Sequence, residues 1–154
     1  MQENFNVRGT LDLVLKDADG NIKEERHEKN LIVTVGLAHV VSRLKDATAT
    51  VMTHMGLGSG STAAATAQTD LVSALGSRVV FDGVPTLLTT TTTNDTIQFV
   101  ATFPAGTGTG AVIEAGIFNA ITAGTMLSRT VFASGVINKG ALDSLTITWK
   151  IRAA

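Results

Sequence analysis

Ser144-Leu-Thr-Ile-Thr-Trp-Lys-Ile151 is the stretch that decides the fold class. Leu145, Ile147, Trp149 and Ile151 alternate with Ser144, Thr146, Thr148 and Lys150. A period of two sends alternate side chains to opposite faces of an extended chain, so the segment predicts a half-buried β-strand. Trp149 is its largest core anchor, and the Thr/Lys side is a water or docking face. Thr96–Phe103 repeats the pattern, with Ile97, Phe99, Ala101 and Phe103 set against Thr96, Gln98, Val100 and Thr102. Leu11, Leu13 and Leu15 do the same near the start. The predicted core anchors are therefore Ile97, Phe99, Phe103, Leu145, Ile147 and Trp149.

Other segments fill in the β pattern. Asp17-Ala-Asp-Gly-Asn21 has the residues of a tight hairpin turn, with a return strand expected over residues 22–33. Residues 51–57 and 78–81 read as strands, and residues 71–75 as one helical turn. A hairpin is expected from residues 111–118 and 125–132. If Phe118 opposes Thr125, Glu114 lies directly opposite Arg129, and the two form a structural cross-strand ion pair. The period changes once. Val33, Leu37, Val40, Val41 and Leu44 follow a helical stripe, with His39, Ser42, Arg43 and Asp46 on the other face and Thr34 as N-cap. Many short strands with Gly/Pro turns predict an all-β sandwich, jelly roll or barrel of about eight antiparallel strands with one short helix over residues 34–46. Residues 1–154 read as a single β domain with a flexible N-terminal arm over residues 1–8.

Composition limits the function classes. A chain of 154 residues has room for a real core, and it contains no cysteine. Twelve basic residues against thirteen acidic give a net charge of −1, without the basic excess that a nucleic-acid partner requires. No apolar run approaches the roughly 20 residues of a membrane helix, and Met1-Gln-Glu-Asn4 has no secretory pattern. The expectation is a soluble chain that is not exported. Residues 47–69 carry no ionisable side chain except His54.

Nothing in the pattern points to catalysis or a cofactor. His27, His39 and His54 sit in unlike neighbourhoods, and Asp70, Asp82, Asp95, Glu114 and Asp143 mostly border turns. Asp17, Asp19, Asn21 and Glu28 fall at the first, third, fifth and twelfth positions of a calcium loop, but Ile22 replaces the glycine its sixth position needs, so a plain turn is preferred. Residues 58–63 lack the third glycine of a dinucleotide loop, and neither glycine-rich piece holds the lysine of a phosphate loop. No enzyme, cofactor or metal is expected, and a small-molecule ligand is not favoured. One Trp and no Tyr leave little for a carbohydrate-binding module to stack on.

Several stretches together resemble small structural proteins of tailed bacteriophages. They are Lys29-Asn-Leu-Ile-Val33, Met52-Thr-His-Met-Gly-Leu-Gly-Ser-Gly60, Thr69-Asp-Leu71, Phe103-Pro-Ala-Gly106, Glu114-Ala-Gly-Ile-Phe-Asn119, Gly124-Thr-Met-Leu-Ser-Arg129 and Ser144-Leu-Thr-Ile-Thr-Trp149. Some proteins of this kind look like the cement proteins that decorate capsids, which have a jelly-roll-like fold, so the resemblance implies an all-β, jelly-roll-like β-sandwich. The resemblance implies a virion protein, assembled in the host cytoplasm, whose partners are the major capsid protein and copies of itself. A tail, fibre or baseplate component is the alternative it leaves open. It transfers no catalytic residue. The candidate contact regions are residues 1–8, the small-residue loop 58–67 and the Thr run 89–93.

Overall fold

Two antiparallel five-stranded sheets face each other across one apolar core, in a computed structural model that describes residues 5–153. The elements are β1 (Val7–Lys16), β2 (Ile22–Lys29), β3 (Leu31–Ile32), α1 (Thr34–Lys45), β4 (His54–Gly58), β5 (Val79–Val80), β6 (Thr86–Leu88), β7 (Thr96–Phe103), β8 (Gly110–Val112), β9 (Glu114–Phe118), β10 (Met126–Val131), β11 (Ile137–Lys139) and β12 (Ser144–Ala153). The first sheet runs β2-β1-β12-β7-β6 and the second β3-β10-β9-β4-β5, while β11 and β8 form a separate pair. The protein is an all-β sandwich, with one helix among the described residues.

The clean alternations form the middle of the first sheet. Trp149 opposes Leu11 on one side and Phe99 on the other, and Leu145 lies between Leu15 and Phe103. Phe99, Phe103, Leu145, Ile147 and Trp149 are buried, while Ile97 is half-buried against the same core. The second sheet supplies Met55, Leu57, Ala115, Ile117 and Leu127 from the opposite side.

The described residues form twelve strands, the longer ones expected of the sandwich together with segments of two or three residues, such as 31–32 and 79–80, that are too short to show any period. Three expectations need correction. The return strand breaks at Asn30, where the chain crosses from the edge of one sheet to the edge of the other. The Asn30 side chain lies where a Cβ on Gly9 would sit, 2.0 Å from its Oδ1, so Gly9 makes room for this corner. Residues 71–75 form no helical turn; Ala74 instead bridges to Gly58.

The third correction concerns α1. Its N-cap residue is Val33, without a side-chain cap, and the Thr34 N–H donates to Thr66 O at 2.8 Å, so a loop carbonyl replaces the expected Thr34 cap. The helix meets the sheet through Gly36, where an added Cβ would lie 2.1 Å from Leu127 O. Contact through a glycine rather than through the leucines turns the predicted stripe aside. Val33 is buried and Val40 half-buried, whereas Leu37, Val41 and Leu44 face outward.

Candidate functional site

The second sheet holds most of the stretches that carry the phage resemblance. β4 pairs β9 with His54 opposite Phe118 and Gly58 opposite Glu114, and β9 pairs β10. All five residues of β9 are buried, so both faces of this strand are covered.

What covers its outer face is organised by one ion pair. Glu114 and Arg129 have fully buried side chains, and Arg129 Nε donates to Glu114 Oε2 at 2.7 Å. Their register is not the expected one, since Glu114 opposes Val131 and Arg129 opposes Gly116. A bulge between Met126 and Ser128 contributes to a slip of two residues, and an even slip keeps both side chains on one face. The pair therefore meets diagonally.

Each remaining polar atom of the pair takes hold of the loop between β4 and β5. Glu114 Oε1 accepts from the backbone N–H of Gly60 at 3.0 Å and of Ser73 at 2.8 Å, and Oε2 accepts from Val72 N–H at 3.1 Å. Arg129 Nη1 donates to Gln68 Oε1 at 2.8 Å, and Nη2 to Thr62 O at 3.0 Å. Gln68 Oε1 also accepts from Ala65 N–H at 2.8 Å. The run of small residues over 58–67 is thus pinned. A Cβ on Gly58 or on Gly60 would lie 2.5 Å from Glu114 Oε1, so these glycines leave the space the carboxylate occupies. Buried charges are tolerated when paired and hydrogen-bonded. With both side chains enclosed, the pair is structural.

Arg78 braces the neighbouring hairpin. Its guanidinium lies 3.4 Å from the centroid of the Phe118 ring and donates to Ala120 O, Ala123 O and Asp70 Oδ1. Burial, with the Arg78 charge added, lowers the pKa of His54. His27 lies on β2 beside Asp12, with Nδ1 2.6 Å from its Oδ1, and His39 is on α1. The three histidines occupy three different elements.

Other charged groups also bind backbone. Glu28 accepts from the N–H groups of Ala133 and Ser134 and from the Ser134 hydroxyl, while Arg26 donates to the carbonyls of Ser134, Gly135 and Val136. Glu28 is therefore far removed in role from the calcium-loop position, and Asp17 accepts from the N–H groups of Asp19 and Asn21 within its own turn. Those bonds, the one from Asn21 foremost, lower the Asp17 pKa. Asp95 accepts the N–H groups of Thr90, Thr91 and Thr92 at 2.9–3.0 Å, which fastens the Thr run as an exposed loop. The Thr92 N–H is the leading reason that its carboxyl ionises far below the usual range. Buried Lys139 donates to Pro104 O and Asp143 O, and Asp143 accepts from Lys23 Nζ at 2.7 Å.

One end of the sandwich is unlike this braced body. Between the ends of β1, β7 and β12 and the helix opens an apolar mouth of about 650 Å³. Val7, Val40, Leu44, Val51, Val84, Ile97 and Ile151 line it together with the buried Met52, Phe99 and Leu127, and His39 and Arg43 are its ionisable members. The neighbouring apolar side chains are open to solvent: Leu44 is 82% exposed, Val84 89%, Val41 63% and Val51 57%. Neither the mouth nor its rim is legible from strand alternation, and the outward helical stripe is the one sequence signal that leads to it. Of the three expected contact regions, residues 1–4 lie outside the described residues, Phe5 beside them is exposed, loop 58–67 is tied down from within, and loop 89–93 is exposed. Trp149 is wholly buried, which removes it as a platform for a sugar ring.

Among the described residues no group of three or more His, Asp or Glu side chains is arranged to hold a metal ion, and no helix is long and apolar enough to cross a membrane. Comparison of the chain with protein-family models, with curated proteins and with solved structures finds no match.

Proposed function

We propose that this chain is a structural component of a tailed-phage virion, most simply a capsid cement protein that associates with copies of itself and bridges subunits of the major capsid protein. One observation carries the proposal: the sandwich binds its loops internally and leaves a contiguous apolar surface open at one end. Exposed apolar surface of this kind marks an interaction site. A rigid body with one adhesive end suits a part that is copied many times over a symmetric shell, where weak contacts add through avidity.

Support comes also from where the phage-like stretches fall. The Gly-rich Met52–Gly60 segment and the Glu-Ala-Gly stretch are adjacent strands, and the glycines of the first accommodate the carboxylate of the second. These two resembling segments thus depend on each other.

Quantitative gels of purified virions test the proposal. A copy number comparable with that of the major capsid protein supports the cement role. A number far below it means a tail, fibre or baseplate component. Absence from particles refutes the virion role. For the cement role, shells stripped of the protein break at lower temperature than intact ones and regain their resistance when it is added back.

A further inference from the structure

We infer that the outer face of the first sheet, at its Arg8–Arg152 end, docks a short acidic segment of a partner protein. This goes beyond the virion role and does not depend on it. The strand registers gather cations there. Thr10 lies between Lys29 on β2 and Lys150 on β12, and in the adjoining row Arg8 stands directly opposite Arg152. All of these face outward, because Leu11, Glu28, Trp149 and Ile151 take the buried side of the same strands. Arg8 and Lys29 are exposed, and Lys150 and Arg152 half-buried.

The arrangement works against the fold. Like charges at facing positions of a sheet repel and destabilise it. Among the described residues, Asp95 is the ion-pair partner of Arg152, at 3.3 Å from its Nε, and Arg8, Lys29 and Lys150 have none. The Asp95 carboxylate also accepts the N–H groups of Thr90, Thr91 and Thr92. A chain of net charge −1 thus concentrates cations at one end of one face. Local rules are broken in this way at functional sites.

Charge and size select the occupant. Neighbouring strands lie about 4.8 Å apart, so the cations of β2, β1 and β12 cover roughly 10 Å, the reach of about three extended residues. The next rows of the same face hold Asp12 and Glu25. A nucleic acid carries an unbroken run of phosphates and needs a broader basic surface, so these acids oppose it. A compact pair of carboxylates fits the cations without reaching them. The exposed Thr loop borders the cluster, tied to it by the bond from Arg152 to the Thr91 hydroxyl. Opposite potentials matched across such a contact supply specificity and fast encounter.

Titration of hexaglutamate into the isotope-labelled full chain, read by amide chemical shifts at low ionic strength, tests the inference. Shifts are expected at Arg8, Thr10, Lys29, Lys150 and Arg152, and not at Val14 or Thr102. The double variant Lys29→Glu/Lys150→Glu keeps the circular dichroism of the wild type and binds the peptide about tenfold more weakly, as like-charge juxtaposition dictates. Arg8→Gln also weakens binding, yet melts no lower than the wild type, since it removes a repulsion. Absence of those shifts overturns the inference, as does binding indifferent to the double variant. Tighter binding of hexathymidylate than of hexaglutamate overturns it in favour of a nucleic acid. A lower melting temperature for Arg8→Gln overturns it too, because Arg8 is then held within its own chain. None of these results bears on the count of copies in virions, so the two proposals fail separately.

Discussion

At the residue scale, Glu114 and Arg129 depart from the usual expectation for a buried ion pair. Replacing both members of such a pair with apolar residues is often neutral or stabilising, because desolvation offsets the attraction. Here Glu114 also accepts three backbone N–H groups, from Gly60, Val72 and Ser73. An apolar pair would orphan those donors. Arg129→Met is expected to cost about 3–5 kcal/mol, the range for stranding one buried charge. At roughly 2–4 °C per kcal/mol for a chain of this size, the melting temperature falls by on the order of 10 °C. The double variant Glu114→Leu/Arg129→Met should recover little of that loss. A double variant that melts like the wild type shows that the loop is held by something else. Gly60→Ala should destabilise as well, since the new methyl would meet the Glu114 carboxylate.

At the element scale, legibility followed the length of the period. Strand β7 has the bounds its alternation predicts, and β12 extends its pattern to Ala153. Ten consecutive residues state a period; the two of β3 or β5 cannot, and their place in the second sheet is set by tertiary pairing alone. The helix was legible in extent but not in orientation. Hydropathy favoured the Leu/Val stripe for the core, whereas close approach to Leu127 O selected Gly36, which a hydrophobic pattern ignores. The ion pair was legible as a pair and not as an organiser, because no local pattern reveals a carboxylate that collects N–H groups from residues 41 to 54 positions away. Gly36→Ala tests the helix seat. It should loosen α1 and raise hydrogen exchange over residues 34–45 more than in β7 or β12, and uniform protection in the variant would mean that the helix is held elsewhere. Asp95→Ala removes the acceptor shared by three N–H groups of the Thr run. Limited proteolysis should then cut within residues 89–95 sooner than in the wild type.

At the scale of the whole molecule, the internal bracing sets the response to pH. Asp95 and Asp143 ionise more readily folded than unfolded, Asp95 chiefly through the Thr92 N–H and Asp143 chiefly through Lys23. Their contribution is complete above the usual carboxylate range and is lost as pH falls through it and below. His54, lowered from 6.5 mainly by burial, binds its proton less readily in the folded chain, so stability also declines as pH drops beneath 6.5. Lys139, lowered by burial from 10.5, adds stability as pH rises toward that value. Urea midpoints should therefore fall continuously from neutral pH into acid; midpoints that do not change between pH 7 and pH 3 would show these groups to be uncoupled from folding. The pairing of β1 with β12 has a mechanical consequence. Val7 faces Ala153 and Lys16 faces Ser144, so the outer ends of the two strands leave the sheet side by side. Tension applied through that pair of ends would peel the ladder open one rung at a time, the weak direction of an antiparallel pair, rather than shear all its rungs together. Single-molecule stretching from Val7 and Ala153 should therefore give way at low force.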